Sequence, residues 1–167
     1  FTHMNLADQF KVHSISRKYQ AITWGVPSNQ IVEGYIERHR INRKKMSLNN
    51  KQKGQFSKTE IRLLKSFENS SLIECTLHTG RTHQIRLHLT SINSPIVGDV
   101  IYGKNKTSKY GLDKKNFKKF LILKNFQRQA LHAVHLGFFH PTLKKQMQFD
   151  SKLPPDMRNL LDLLLKY

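Results

Sequence analysis

Two strand-like runs, Phe56 to Phe67 and Leu72 to Leu77, flank the polar tetrapeptide Glu68-Asn69-Ser70-Ser71. So short a connection predicts an antiparallel pair, because parallel strands need a long crossover. Arg17 to Gly25, Ala130 to Phe139 and Gln146 to Phe149 also read as strands, the last two joined by a turn at His140-Pro141. Ile31 to Ile36 alternates only weakly, and Lys51 to Gly54 reads as a polar hairpin tip. Helical spacing marks both ends of the chain. Leu6 and Phe10 lie four apart within Asn5 to Lys11, and Leu160, Leu161, Leu164 and Leu165 form a stripe within Asp156 to Lys166. Pro155 falls in the first turn of that last helix, where proline is tolerated. Strands do not alternate with helices, so the predicted class is α+β: a mostly antiparallel mixed sheet with flanking helices.

The 167 residues form one expected domain. Lys and Arg number 29 against 11 Asp and Glu, a formal net charge of +18. Such an excess repels itself in a compact fold and suits a polyanionic partner, with RNA first among them. No basic amphipathic helix with an aromatic face argues for a membrane surface, and no apolar run reaches spanning length. Cys75 is the only cysteine, so neither an internal disulfide nor a cysteine-based zinc site is expected, and the thiol reads as inert core. A cytoplasmic, monomeric protein is expected. His83 and His88 lie five apart, and His132 and His135 three apart on a strand that should turn them to opposite faces. Neither spacing suits a metal, and no cofactor is expected.

The segment His78-Thr79-Gly80-Arg81-Thr82-His83-Gln84-Ile85-Arg86-Leu87-His88 concentrates the chemistry. Thr82 is the expected cap of a helix running to about Ile92, with Ile85, Leu89 and Ile92 on one face and a stop at Asn93-Ser94-Pro95. Arg86 then falls at the edge of the apolar face, where a half-buried guanidinium requires a carboxylate or phosphate. Arg81 stands at the helix start, where free N–H groups attract anions. Asp99 follows Gly98 and reads as a turn residue. Tyr19, beside Lys18 on a strand, offers an aromatic face for an extruded base. Arg38 to Lys45 is a basic run that includes Arg43 and Lys44, and the Lys-rich stretch from Gly103 to Asn116 reads as a mobile loop.

The order of these pieces resembles the ribosomal RNA pseudouridine synthases of the RluA/RluD family. The resemblance rests on Lys18-Tyr19-x-Ala21, Trp24-Gly25, Ile36-x-Arg38 with Arg43 and Met46, and Thr79 to His88. Pro95-x-Val97-Gly98-Asp99-x-x-Tyr102, Arg128-Gln129-Ala130-Leu131-His132-Ala133, His140-Pro141 and Leu153-Pro154-x-Asp156-Met157 complete it. It implies a pseudouridine synthase-like fold and a cofactor-free enzyme that converts uridine in RNA to its C-glycoside isomer. Tyr19 takes the tyrosine that packs on the flipped base and assists loss of the C5 proton. Arg86 takes the arginine that pairs with the nucleophilic aspartate, and Ile85 neighbours the pocket. Arg81, His83, Arg38, Arg43 and Lys44 are expected to meet the RNA.

The family's aspartate belongs to a His-Arg-Leu-Asp segment upstream of the tyrosine motif, and residues 1–167 contain no such segment there. His39-Arg40-Ile41-Asn42 follows Tyr19 and ends in Asn, which has no carboxylate. Residues 1–167 are therefore expected to be the C-terminal portion of a catalytic domain, inactive alone, with Arg86 lacking its family partner, the nucleophilic aspartate. The alternative is a non-catalytic basic module that binds RNA or the ribosome.

Overall fold

The computed structural model describes residues 2–103 and 117–166. The elements run α1 (Thr2–Lys11), β1 (Ser16–Trp24), β2 (Gln30–Arg38), β3 (Met46–Asn49), β4 (Gln55–Phe67), β5 (Ser70–Leu77), α2 (Gln84–Ser91), α3 (Phe117–Lys124), β6 (Leu131–His140), β7 (Lys145–Asp150) and α4 (Pro155–Lys166). The seven strands form one sheet in the order β3-β2-β4-β5-β1-β6-β7, and every described pair is antiparallel. The expected α+β class holds. Of the stretch expected to be a loop, only Gly103 lies among the described residues. No described helix is long and apolar enough to cross a membrane.

The predicted hairpin is present, with a tighter turn at Glu68-Asn69: Phe67 already faces Ser70. Glu68 takes the left-handed conformation, φ 58°. Lys51 to Gly54 is not a hairpin tip. It joins β3 to β4, which flank β2 on opposite sides. β3 and α3 carry too few periodic residues to stand out in the sequence. Each is short, and α3 gains its order from packing, with Phe120 5.6 Å from the ring of Trp24 and Leu123 buried.

His132 and His135 do not face opposite ways. A bulge in β6 sets His135 opposite Lys18 and His132 opposite Gln20, and those two partners share one face of β1. The extra residue, Val134, shifts the pleat by one. His132 then meets Ser151 (3.1 Å) and His135 meets Asp150 (2.7 Å).

The core joins β1, β4 and β5 to α2 and α4 through Ala21, Ile61, Ile73, Cys75, Leu89 and Met157. Burial pushes the Cys75 thiol up to about 12, so it stays a thiol. α1 buries no residue and is held by Gln9. Its amide donates to the Phe139 carbonyl (2.7 Å) and accepts the Phe139 N–H (2.9 Å).

Candidate active site

Gln84 fixes the turn that leads into the site. Its buried Oε1 accepts the Thr79 hydroxyl (2.8 Å) and the Arg81 N–H (2.9 Å), while Nε2 donates to the Lys58 carbonyl (3.0 Å) and Thr59 Oγ1 (2.9 Å). Both donors and both acceptor positions of the amide are thereby used, which is why a buried glutamine is tolerated here. α2 does not begin at Thr82, which is exposed and caps nothing. The N-cap is His83, in left-handed conformation (φ 60°, ψ 18°) and without a side-chain cap bond. A non-glycine residue held there is strained, and such strain gathers where geometry is over-determined.

Behind Gln84 runs a buried polar chain. Thr59 Oγ1 lies 2.9 Å from His88 Nδ1, and His88 Nε2 lies 2.9 Å from Ser57 Oγ, which donates to the Gly34 carbonyl (2.7 Å). Since the Ser57 hydroxyl proton is committed to Gly34, Nε2 must carry the imidazole proton and Nδ1 must accept from Thr59. His88 is fully buried and neutral, its pKa lowered to about 4 by burial. α2 is thus locked onto β4 in one register.

This lock sets Arg86 in place. Its Nε and Nη2 form a two-pronged bond to Asp99, at 2.7 and 2.8 Å, with side-chain exposures of 10% and 1%. The carboxylate that a half-buried Arg86 is expected to meet is, within this chain, Asp99. Asp99 is also a turn residue, accepting the N–H groups of Ile101 (3.0 Å) and Tyr102 (3.1 Å). Burial alone would raise its carboxyl, but the Arg86 fork and the two amides hold it below the ordinary range. Nη1 of Arg86 takes no part in the fork. The Tyr102 ring covers the guanidinium, 4.7 Å from its carbon to the ring centroid.

Tyr102 ties a third element to the site. Its hydroxyl accepts the Met46 N–H (2.8 Å) and lies 2.9 Å from His83 Nδ1. With one lone pair engaged by Met46, the hydroxyl can donate its proton to Nδ1. Burial, with Arg86 nearby, lowers the His83 pKa and favours this neutral acceptor. Met46 follows the basic β2–β3 turn, so Tyr102 anchors that turn to α2.

One cavity of about 250 Å³ is lined by Tyr19, Leu77, Arg81, His83, Gln84, Ile85, Arg86 and Leu131. Five residues singled out in the sequence therefore come together: Tyr19 from β1, Arg81 and His83 from the turn, and Ile85 and Arg86 from α2. Arg38, Arg43 and Lys44 do not line it. They are exposed at the end of β2 and on the turn beyond. Arg81 spends part of its guanidinium on β4, donating to the Phe56 carbonyl (3.0 Å) and Gln55 Oε1 (2.9 Å). Asn42 closes the basic turn by accepting the Lys44 N–H (3.0 Å). Asp99 and Gln84 are the members that residue-level reading of the sequence left without a role. A half-buried arginine demands a carboxylate, and among the eleven acids Asp99, just past a glycine turn, was the one to try.

Asp99 reaches Arg86 because two distant segments clasp β1. Trp24 N–H bonds the Pro95 carbonyl, Val97 N–H the Ile22 carbonyl, and Ala130 N–H the Val97 carbonyl, each at 2.9 Å. Gly98 follows at φ 76°, where a Cβ would collide with the Arg128 carbonyl. No side chain fits that turn.

Known proteins fit this geometry. The family model for RNA pseudouridylate synthase matches residues 1–91. The ribosomal large subunit pseudouridine synthase D of Zymomonas mobilis subsp. mobilis is 44% identical over 164 residues, 98% of this chain and 49% of the relative. Its counterpart in Buchnera aphidicola subsp. Baizongia pistaciae is 43% identical over 169 residues, 99% of this chain and 51% of the relative. Human RNA pseudouridylate synthase domain containing 4 superposes with a TM-score of 0.74 at 27% identity, over 97% of this chain and 67% of that one. The chain spans about half the length of the curated relatives it matches. With the motifs, the fold and the cleft in agreement, the chain belongs to the RNA pseudouridylate synthase family.

Proposed function

We propose that this chain carries the base-binding half of an active site that isomerises uridine in RNA, with ribosomal RNA as the substrate suggested by the relatives' names. The observation that carries the reading is the meeting of Tyr19 and Arg86 in one cleft with apolar walls at Ile85, Leu77 and Leu131. A uridine taken out of its stack needs an aromatic ring and apolar walls to replace stacking, and a charged group at the sugar end. Tyr19 packs on the base and assists removal of the C5 proton. The N1–C1′ bond breaks, C5–C1′ forms, and N1 ends protonated, so no atom is gained or lost and no cofactor is required.

Arg86 acts on the nucleophilic carboxylate through Nη1, held rigid by Asp99 on its other edge. Asp99 itself is engaged by the arginine fork and two amides, and no carboxylate lines the cleft among the described residues. In the family this chain resembles, the nucleophilic aspartate precedes the tyrosine motif; on that ground we assign it to a segment outside these 167 residues and expect residues 1–167 alone to be inactive. Arg38, Arg43 and Lys44 meet the RNA backbone outside the cleft. In the intact protein, Arg86→Ala should cut tritium release from C5-labelled uridine in RNA by at least about a hundredfold while RNA affinity changes only a few-fold. Full turnover in that variant contradicts the assignment.

A further inference from the structure

Arg81 also lines a second cavity, of about 380 Å³, bounded by Phe10, Lys11, His13, Arg17 and Gly80. Among the described residues no carboxylate lines it. Arg17 is 9% exposed, and its Nε and Nη2 have no hydrogen-bond partner among the described residues. A guanidinium does not shed its charge, and burying it with no carboxylate among the described residues to offset it is costly. Burial pulls its pKa down; Tyr19 opposes this and Arg81 adds to it. The backbone is shaped around the group. A Cβ at residue 80 would meet Arg17 Nη1, so a larger residue there would push the guanidinium aside. Phe10 covers the guanidinium at 5.5 Å, but it rides on α1, which buries none of its residues.

Resting on the function proposed above, we infer that this cavity seats one oxyanion, a backbone phosphodiester of the RNA strand whose uridine occupies the Tyr19 cleft. Arg17 and Tyr19 are alternate residues of β1 and share a face. Arg81 borders both cavities. An anion on Arg17 therefore lies one backbone step from a base on Tyr19. A phosphodiester shares one negative charge over two non-bridging oxygens, which suits the planar Arg17 guanidinium, and its strand extends toward Lys11 and His13. A carboxylate from elsewhere in the polypeptide would satisfy the guanidinium and leave Lys11 and His13 without a role. Such a contact fixes the register of the strand and carries no base information.

The test scans single phosphodiesters around the target uridine, replacing each in turn by a neutral methylphosphonate, and measures binding to the intact protein. One position should cost the wild type about tenfold in Kd. In Arg17→Met the same replacement should cost less than about twofold, and the log–log salt slope should fall by about 0.7, one single-strand contact. Gly80→Ala, which displaces the guanidinium without removing it, should weaken the same position. A wild type indifferent to every phosphate beside the target overturns the inference, whether or not the variants fold. So does an Arg17→Met protein that melts earlier yet keeps the wild-type phosphate profile, which marks a carboxylate within the protein as the partner. Pseudouridine formation, assayed on unmodified RNA, reports separately on the proposed function. Its absence together with a coupled phosphate refutes the isomerase and leaves the phosphate seat standing.

Discussion

Arg86 and Asp99 form a pair whose worth depends on both being present. Two-pronged and nearly dry, it contrasts with Lys58–Glu33, where both side chains are at least one-third exposed. Asp99→Ala leaves the guanidinium buried and unpaired and should destabilise the protein by about 3 kcal/mol, read by denaturant unfolding. Glu33→Ala should cost less than about 1 kcal/mol. Equal losses would mean that Arg86 finds water when Asp99 is removed. His88 gives a second residue-scale prediction. Its folded pKa is lowered to about 4, against about 6.5 when unfolded. Between these values the unfolded chain binds the extra proton, so stability is full above about pH 6.5 and falls as pH drops toward about 4. The largest loss is about 3 kcal/mol. His88→Gln should flatten that part of the profile, and an unchanged slope would relocate the titration to another histidine. Sequence made Arg86 legible because a charge at the edge of an apolar helix face has few explanations. It hid the partner because Asp99 lies thirteen residues on, brought near by a clasp that no local pattern encodes.

The elements that assemble the cleft are β1, the Gly80 turn, α2 and the clasp of residues 95–98 with 128–130. The strands were legible where β-prone runs were long, as in β4 and β5. They were not legible in β3, four residues paired only to β2 at the sheet's edge. Thr82 has the chemistry of a cap, but α2 starts later because Gln84 outcompetes it through four hydrogen bonds to the turn and β4. The opposed histidines of β6 were misplaced by a bulge, which a two-residue period cannot reveal. The clasp is the element-scale point of weakness. Gly98→Ala combines a left-handed backbone with a collision against the Arg128 carbonyl, and should destabilise by about 3 kcal/mol in thermal or denaturant melts. It should also lower activity, since Asp99 is the next residue. A variant that melts within about 0.5 kcal/mol of the wild type would show that the clasp yields easily.

Across the whole molecule, a formal charge of +18 spread over 167 residues suits a polyanion. The sheet gathers cations from separate segments around one region: Arg81 and Arg86 at the cleft, Arg17 and Lys11 beside it, and the Arg38–Lys44 turn tied in through Met46 and Tyr102. Composition agrees with the RNA partner proposed above, and motif order foretold the family. Neither could show that Arg17 Nε and Nη2 are buried with no acceptor among the described residues, because that depends on the Gly80 turn lying close against β1. The central claim is that Tyr19 and Arg86 together act on one flipped uridine. Single-turnover tritium release from C5-labelled RNA by the intact protein tests it most directly. Tyr19→Phe and Arg86→Ala should each reduce release by at least about a hundredfold while the RNA stays bound. Release at the wild-type rate from either variant would contradict the account.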